Sequence, residues 1–86
     1  MTAGKEIVYT RVAAKALRAM DAQASQLIRS KVRQYAADPA SLANNVKRLK
    51  GVDALRLRVG DYRVIFTEDL VVLTILRVGH RRDVYE

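Results

Sequence analysis

Apolar and polar residues alternate strictly over Leu55 to Val59, LRLRV, and Tyr62 to Thr67 reads as a returning strand. That alternation marks a strand with one buried face. Between the two runs, Gly60-Asp61 has the form of a two-residue hairpin link of the Gly-X kind. The link predicts a register. Val59 lies opposite Tyr62, Arg58 opposite Arg63, Leu57 opposite Val64 and Leu55 opposite Phe66. Leu55, Leu57, Val59, Tyr62, Val64 and Phe66 then share one face, and Arg56, Arg58 and Arg63 share the other. A slip of one residue would bury the arginines, so the register is strongly specified.

Elsewhere the pattern changes period. Lys5 to Thr10 carries β-branched and aromatic residues and predicts a short first strand. Arg11 to Met20 is Ala-rich, with Val12, Leu17 and Met20 apolar, and predicts a short helix. Asp21 is placed to cap a second helix, Ala22 to Ala37, whose stripe is Leu27, Ile28, Val32 and Tyr35. Asp38-Pro39 ends that helix. Ser41 to Asn45 reads as loop, Glu68-Asp69 as a turn, and Leu70 to Val78 as a strand apolar on both faces. The predicted order is β-α-α-β-β-β. It implies an α+β fold: a small twisted antiparallel sheet, with an N-terminal αα-hairpin packed on one face and the other face open.

The length of 86 residues predicts one small domain over 1–86. There is no Cys, which excludes a disulfide framework, a zinc knuckle and a thiolate nucleophile. A single His excludes a multi-histidine metal site within one chain. No glycine falls in a GxGxxG or Walker spacing, so no cofactor is expected. No stretch has the length of a signal peptide or membrane span, so a soluble, cytoplasmic protein without a membrane partner is expected. The net charge of +7 and pI near 10.3 call for a polyanionic partner.

Placement of the charge sharpens this. The basic residues Lys47, Arg48, Lys50, Arg56, Arg58 and Arg63 crowd a short segment and are interleaved with Leu and Val, as in folded structure rather than a disordered arm. Like charges directly opposite across a sheet cost about 0.2–1 kcal/mol. One such arginine would suit a solvated strand face, or pairing with Asp53 or Glu86; three together favour an anion-binding face. Arg11, Lys15 and Arg18 read as a solvated helix face, and Tyr9 and Tyr35 as packing. The polar tail from Gly79 adds His80, Arg81, Arg82 and Tyr85. His80 alone has an unperturbed pKa suited to proton transfer near neutrality.

The stretch from Arg48 to Tyr85 resembles the RelE/ParE superfamily of bacterial toxin–antitoxin toxins, and most of all its RelE branch. The elements that carry the resemblance are Leu49-Lys50-Gly51, the run Arg56 to Val64, Val78-Gly79-His80-Arg81 and Asp83-Val84-Tyr85. The first half matches in layout only. The resemblance implies a toxin that cleaves mRNA in the ribosomal A site. Its chemistry would be metal-independent, with 2′-OH attack giving a 2′,3′-cyclic phosphate and a 5′-OH. Arg56 matches a basic residue of the catalytic face, and Arg63 matches the arginine after the hairpin tyrosine, a phosphate stabiliser. Arg81 matches the residue that assists the leaving group, and Tyr85 matches the tail tyrosine that stacks on a base or helps activate the 2′-OH. Arg58 joins the phosphate face, and Lys47, Arg48, Lys50 and Arg82 are expected to contact RNA or ribosome. Ala54 and Leu55 depart from the family pattern, where relatives carry a further basic residue and an aromatic. His80 is then a candidate acid or base. The implied partners are a cognate antitoxin and the 70S ribosome with its mRNA, with operator DNA reached only through the antitoxin. The other readings are a ParE-like inhibitor of DNA gyrase, which shares the fold, and a non-catalytic nucleic-acid-binding module.

Overall fold

In the computed structural model, which describes residues 4–83, strand β1 (Glu6–Tyr9) leads into helices α1 (Arg11–Ala19) and α2 (Ala22–Ala37). A 3-10 helix (Pro39–Asn45) then feeds strands β2 (Val46–Arg48), β3 (Leu55–Val59), β4 (Tyr62–Glu68) and β5 (Val72–His80). They form one five-stranded sheet in the order β1-β5-β4-β3-β2. The α+β class and the helical hairpin over one face are as the pattern predicts. The sheet is mixed rather than wholly antiparallel, because β1 lies parallel to β5. The helices carry the chain across one face before the meander begins, and the outer edge of β5 is left for β1 to fill. Ser41 to Asn45, expected to be loop, is part of the 3-10 helix, and no strand was predicted over β2; three residues are too few to show a period, and pairing with β3 makes it a strand.

Side-chain caps start both helices. Thr10 accepts from the Ala13 N–H at 3.1 Å, and the Asp21 carboxylate accepts from Gln23 and Ala24 at 3.0 and 3.2 Å. Helix α1 buries Ala13 and Leu17 and leaves Val12 exposed. Helix α2 buries Ile28, Val32 and Tyr35, spaced four and three apart on one stripe. Leu27, predicted on that stripe, is exposed because it lies about 100° round the helix from Ile28. These side chains and Leu42 meet Leu57, Val59, Val64, Phe66, Leu73, Ile75 and Val78 of the sheet.

The hairpin register is the predicted one, Val59 opposite Tyr62 through Leu55 opposite Phe66. Gly60 has φ +57°, and no other described residue but Gly51 is left-handed, which is the pattern of a type II′ turn. The second sheet face is less open than expected. Leu49 and Ala54, from the loop joining β2 to β3, fold over Ile65, and Leu76 packs against them.

Strand β5 starts later than its composition predicts. The Asp69 carboxylate accepts from the Val71 and Val72 amides at 2.8 and 2.7 Å and turns the chain there, which leaves Leu70 94% exposed. Further along, Ile65 faces Arg77 but Phe66 faces Ile75, so Leu76 is an extra residue, a β-bulge. Leu73 and Ile75 point under the helices. With an unbroken period of two, Arg77 would follow them into the core. The bulge turns it to the second face and returns Val78 to the core.

Candidate functional site

Residues directly opposite in an antiparallel ladder project from the same face. Arg58 and Arg63 are such a pair, as predicted. The ladder also sets Lys47 opposite Arg56, Arg56 opposite Ile65, and Ile65 opposite Arg77. One sheet face therefore carries two adjoining rows. The first runs Lys47–Arg56–Ile65–Arg77 across β2, β3, β4 and β5. The second runs Arg58–Arg63–Gly79 across β3, β4 and β5. Ile65 is the apolar floor, covered by Leu49, Ala54 and Leu76.

The environments of these cations differ. Arg56 is half-buried, and its burial, with the charges of Arg63 and Arg58, pushes its guanidinium below its ordinary pKa. Arg63 is half-buried and donates from one guanidinium nitrogen to the Gly60 and Tyr62 carbonyls at 3.2 and 3.1 Å, which anchors it to the hairpin. Arg58, Lys47 and Arg77 are exposed. Arg81 sits at the hairpin end of the face. Its amide donates to the Asp61 carbonyl at 2.7 Å, and its Nε lies 3.9 Å from the Asp61 carboxylate. Beside β2, Lys47, Arg48, Leu49 and Lys50 line a shallow cavity of about 150 Å³. Arg48 also faces Asp53 at 3.5 Å, both exposed, a contact of little energetic weight.

His80 takes a different place. It is opposite Tyr62, whose partners by alternation are Val64 and Phe66, so its ring lies on the helix-covered side. The two rings meet edge to face with centroids 5.9 Å apart, and His80 Nδ1 accepts from the Arg82 amide at 3.2 Å. Strand geometry therefore separates His80 from the arginines. Tyr85 lies outside the described residues. Arg82 is exposed in the turn after β5. Among the described residues no three His, Cys, Asp or Glu side chains gather as a metal site would require, and no helix is long and apolar enough to cross a membrane.

Arg77 joins this face although periodicity does not place it there. Its strand reads as an apolar run, and nothing in the run marks the bulge. What chemistry the face can perform follows from its composition. Guanidiniums held on a rigid sheet bind and neutralise phosphate oxygens, and stabilise charge that builds on them during transfer.

Comparison with known proteins bears on the fold and the family. No curated protein sequence matches the chain. Among solved structures, it is similar to a chain of the RelBE2 toxin–antitoxin complex of Mycobacterium tuberculosis, at 20% identity and TM-score 0.79, covering 94% of this chain and 95% of that one. It is similar to a chain of the archaeal RelE–RelB complex from Pyrococcus horikoshii, at 24% identity and TM-score 0.77, covering 92% and 97%. The intact RelBE toxin–antitoxin complex of E. coli gives 18% identity and TM-score 0.71, covering 88% and 95%. At these identities the likeness establishes a shared fold. The family match reaches further, because the model of the ParE toxin of type II toxin–antitoxin systems spans residues 7–85, from the first strand through the arginine face and into the tail. The chain belongs to this toxin family, within the RelE/ParE superfamily.

Proposed function

We propose that this type II toxin is a ribosome-dependent mRNA endoribonuclease. The observation that carries the reading is the arginine pair Arg58–Arg63, set directly opposite each other on a rigid hairpin with Arg56 on the same face. A domain this small has little stability to spare. It keeps a repulsive pair at a position where any neutral side chain would be cheaper.

In the proposed reaction the ribose 2′-oxygen attacks the adjacent phosphorus, and the bond from phosphorus to the 5′-oxygen breaks. The products are a 2′,3′-cyclic phosphate and a 5′-hydroxyl. The proton lost by the 2′-hydroxyl is balanced by the one gained at the 5′-oxygen. Arg56, Arg58 and Arg63 hold the phosphate and stabilise its developing charge. Arg81, at the hairpin end, stabilises the leaving oxygen. Tyr85 supplies a base-stacking face or a hydroxyl near the 2′-oxygen. A guanidinium is a poor proton donor at neutral pH, so arginines contribute charge rather than proton transfer. Lys47, Arg48, Lys50 and Arg82 add contacts to message or ribosome. The place of action is the cytoplasm, and the neutralising partner is a cognate antitoxin. The similarity to toxin chains solved in complexes with antitoxins supports that partner.

Primer extension on a message in a cell-free translation reaction tests the reading. Cuts within codons, dependent on ribosomes and lost in Arg81→Ala, are expected. An intact message under conditions where translation stops would overturn it. The family model that matches carries the ParE name, which favours one second reading, inhibition of DNA gyrase. Arrested supercoiling with uncut mRNA would move the assignment there.

A further inference from the structure

We infer that Arg77 is an additional RNA-backbone contact, which extends the phosphate-binding face one strand beyond the arginines of the hairpin. The inference rests on the ribonuclease reading for its substrate and on the sheet geometry for its position. Arg77 is exposed, and it lies opposite Ile65 in the row that includes Arg56 and Lys47. Neighbouring strands are about 4.8 Å apart, so this row spans roughly 14 Å, more than one phosphate group needs. Beside Arg77, the second row ends in Gly79, opposite Arg63, where the strand adds no side chain to the face.

The bulge at Leu76 is what gives Arg77 this position. The extra residue reverses the alternation of β5 between Ile75 and Val78. The Leu76 carbonyl accepts from the Thr10 hydroxyl at 2.8 Å, and the Leu76 side chain packs on the Ile65 cluster. A bulge with a hydrogen-bonded carbonyl and a packed side chain is a stable part of the sheet, so the direction of Arg77 is fixed by the fold.

The surface fits a nucleic acid better than a protein segment. Protein interfaces rest on an apolar centre, whereas backbone phosphates are held by cations and hydrogen-bond donors without one. On this face Leu49, Ala54 and Ile65 are already buried by one another, and the most exposed strand residues are Lys47, Arg58 and Arg77, with Arg56 and Arg63 half-buried beside them.

Fluorescence anisotropy with a single-stranded oligoribonucleotide tests the inference without requiring cleavage. The variants are Arg77→Ala, Arg77→Lys and, as a control cation on α1, Arg18→Ala. Over a KCl series, loss of one phosphate contact lowers the slope of log affinity against log salt by about 0.7. Arg77→Ala is expected to show that change, with affinity near 0.1 M salt about fivefold weaker. Arg77→Lys should recover most of it, and Arg18→Ala should match the parent. On programmed ribosomes Arg77→Ala should raise KM by a similar factor and leave kcat within about twofold. Unchanged slope and affinity in Arg77→Ala, or no measurable RNA binding by the parent, would overturn the inference. Weakened binding of the purified antitoxin with unchanged RNA binding would also overturn it and assign Arg77 to the protein partner. A parent that binds RNA with the expected Arg77 effect but never cuts would retain this contact and remove the ribonuclease reading.

Discussion

The Thr10 hydroxyl donates to the Leu76 carbonyl at 2.8 Å while accepting from the Ala13 amide at 3.1 Å. One side chain thus caps helix α1 and satisfies the carbonyl of the extra residue in β5. These residues are 66 apart in sequence. Their bond joins the start of the helical layer to the irregularity that reverses alternation in the strand carrying Arg77.

Replacing Thr10 should therefore cost more than an ordinary cap. Thr10→Val keeps the shape and removes both hydrogen bonds. Urea unfolding should show a loss of about 1–2 kcal/mol. Thr10→Ser retains the hydroxyl and should stay within about 0.5 kcal/mol of the parent. A Val variant as stable as the parent would mean that the bulge holds without this bond.

Stability should fall on both sides of neutrality through one cluster. Lys5 Nζ donates to Glu68 at 2.6 Å, and the Tyr35 hydroxyl donates to its other carboxylate oxygen at 2.5 Å. Partial burial by itself would raise the Glu68 pKa, but these hydrogen bonds and the charge of Lys5 hold it below the ordinary value. The folded state thus binds the Glu68 proton less readily than the unfolded state. Its contribution is complete above an unfolded pKa of about 4.3 and disappears as pH falls through the lower folded value. Urea titrations should show Glu68→Gln losing less stability than the parent between neutral pH and about pH 3. Tyr35 shifts the opposite way. Burial, then the hydrogen bond and charge of Glu68, raise its pKa. Its contribution is present below about pH 10 and is lost at higher pH, a loss that Tyr35→Phe should not show.

The arginine face should trade stability for activity. Arg58 is exposed and directly opposite Arg63, so Arg58→Ala is expected to stabilise the fold by about 0.2–1 kcal/mol while weakening message cleavage. Added phosphate or sulfate should raise the Tm of the parent more than that of the variant, because the anion screens a repulsion the variant lacks. A destabilised Arg58→Ala protein would show that the pair is not the strained feature of the sheet.

His80 should matter for packing rather than for chemistry. Its ring lies against Tyr62 on the helix-covered side, opposite to the arginines. His80→Ala is expected to lower stability by about 1 kcal/mol, a modest loss for a half-buried aromatic contact, and to leave the cleavage rate constant within about threefold. A loss of several hundredfold in kcat without loss of fold would return His80 to the reaction.

Much of this molecule is legible along the chain because its strongest signals are local. Alternation in LRLRV and a two-residue link in which Gly60 can take φ +57° suffice to pair β3 with β4 and to put Arg56, Arg58 and Arg63 on one face. Asp21 and Pro39 mark the limits of α2 by capping and by a missing amide. The family resemblance is carried by the same local stretches. Other features depend on contacts between distant residues, and no period records them. β2 becomes a strand through its ladder with β3, and β1 pairs in parallel along the edge of β5, 66 residues away. Leu49 and Ala54 cover Ile65 only once the loop folds back. The bulge at Leu76 has no mark in the apolar run LVVLTILRV, yet it decides which face each later residue joins. Alternation in β3 and the hairpin link to β4 determined three arginines of the face. Packing against Ile65 and a hydrogen bond from Thr10 decided that Arg77 stands beside them and His80 does not, because a single extra residue reverses every side chain beyond it.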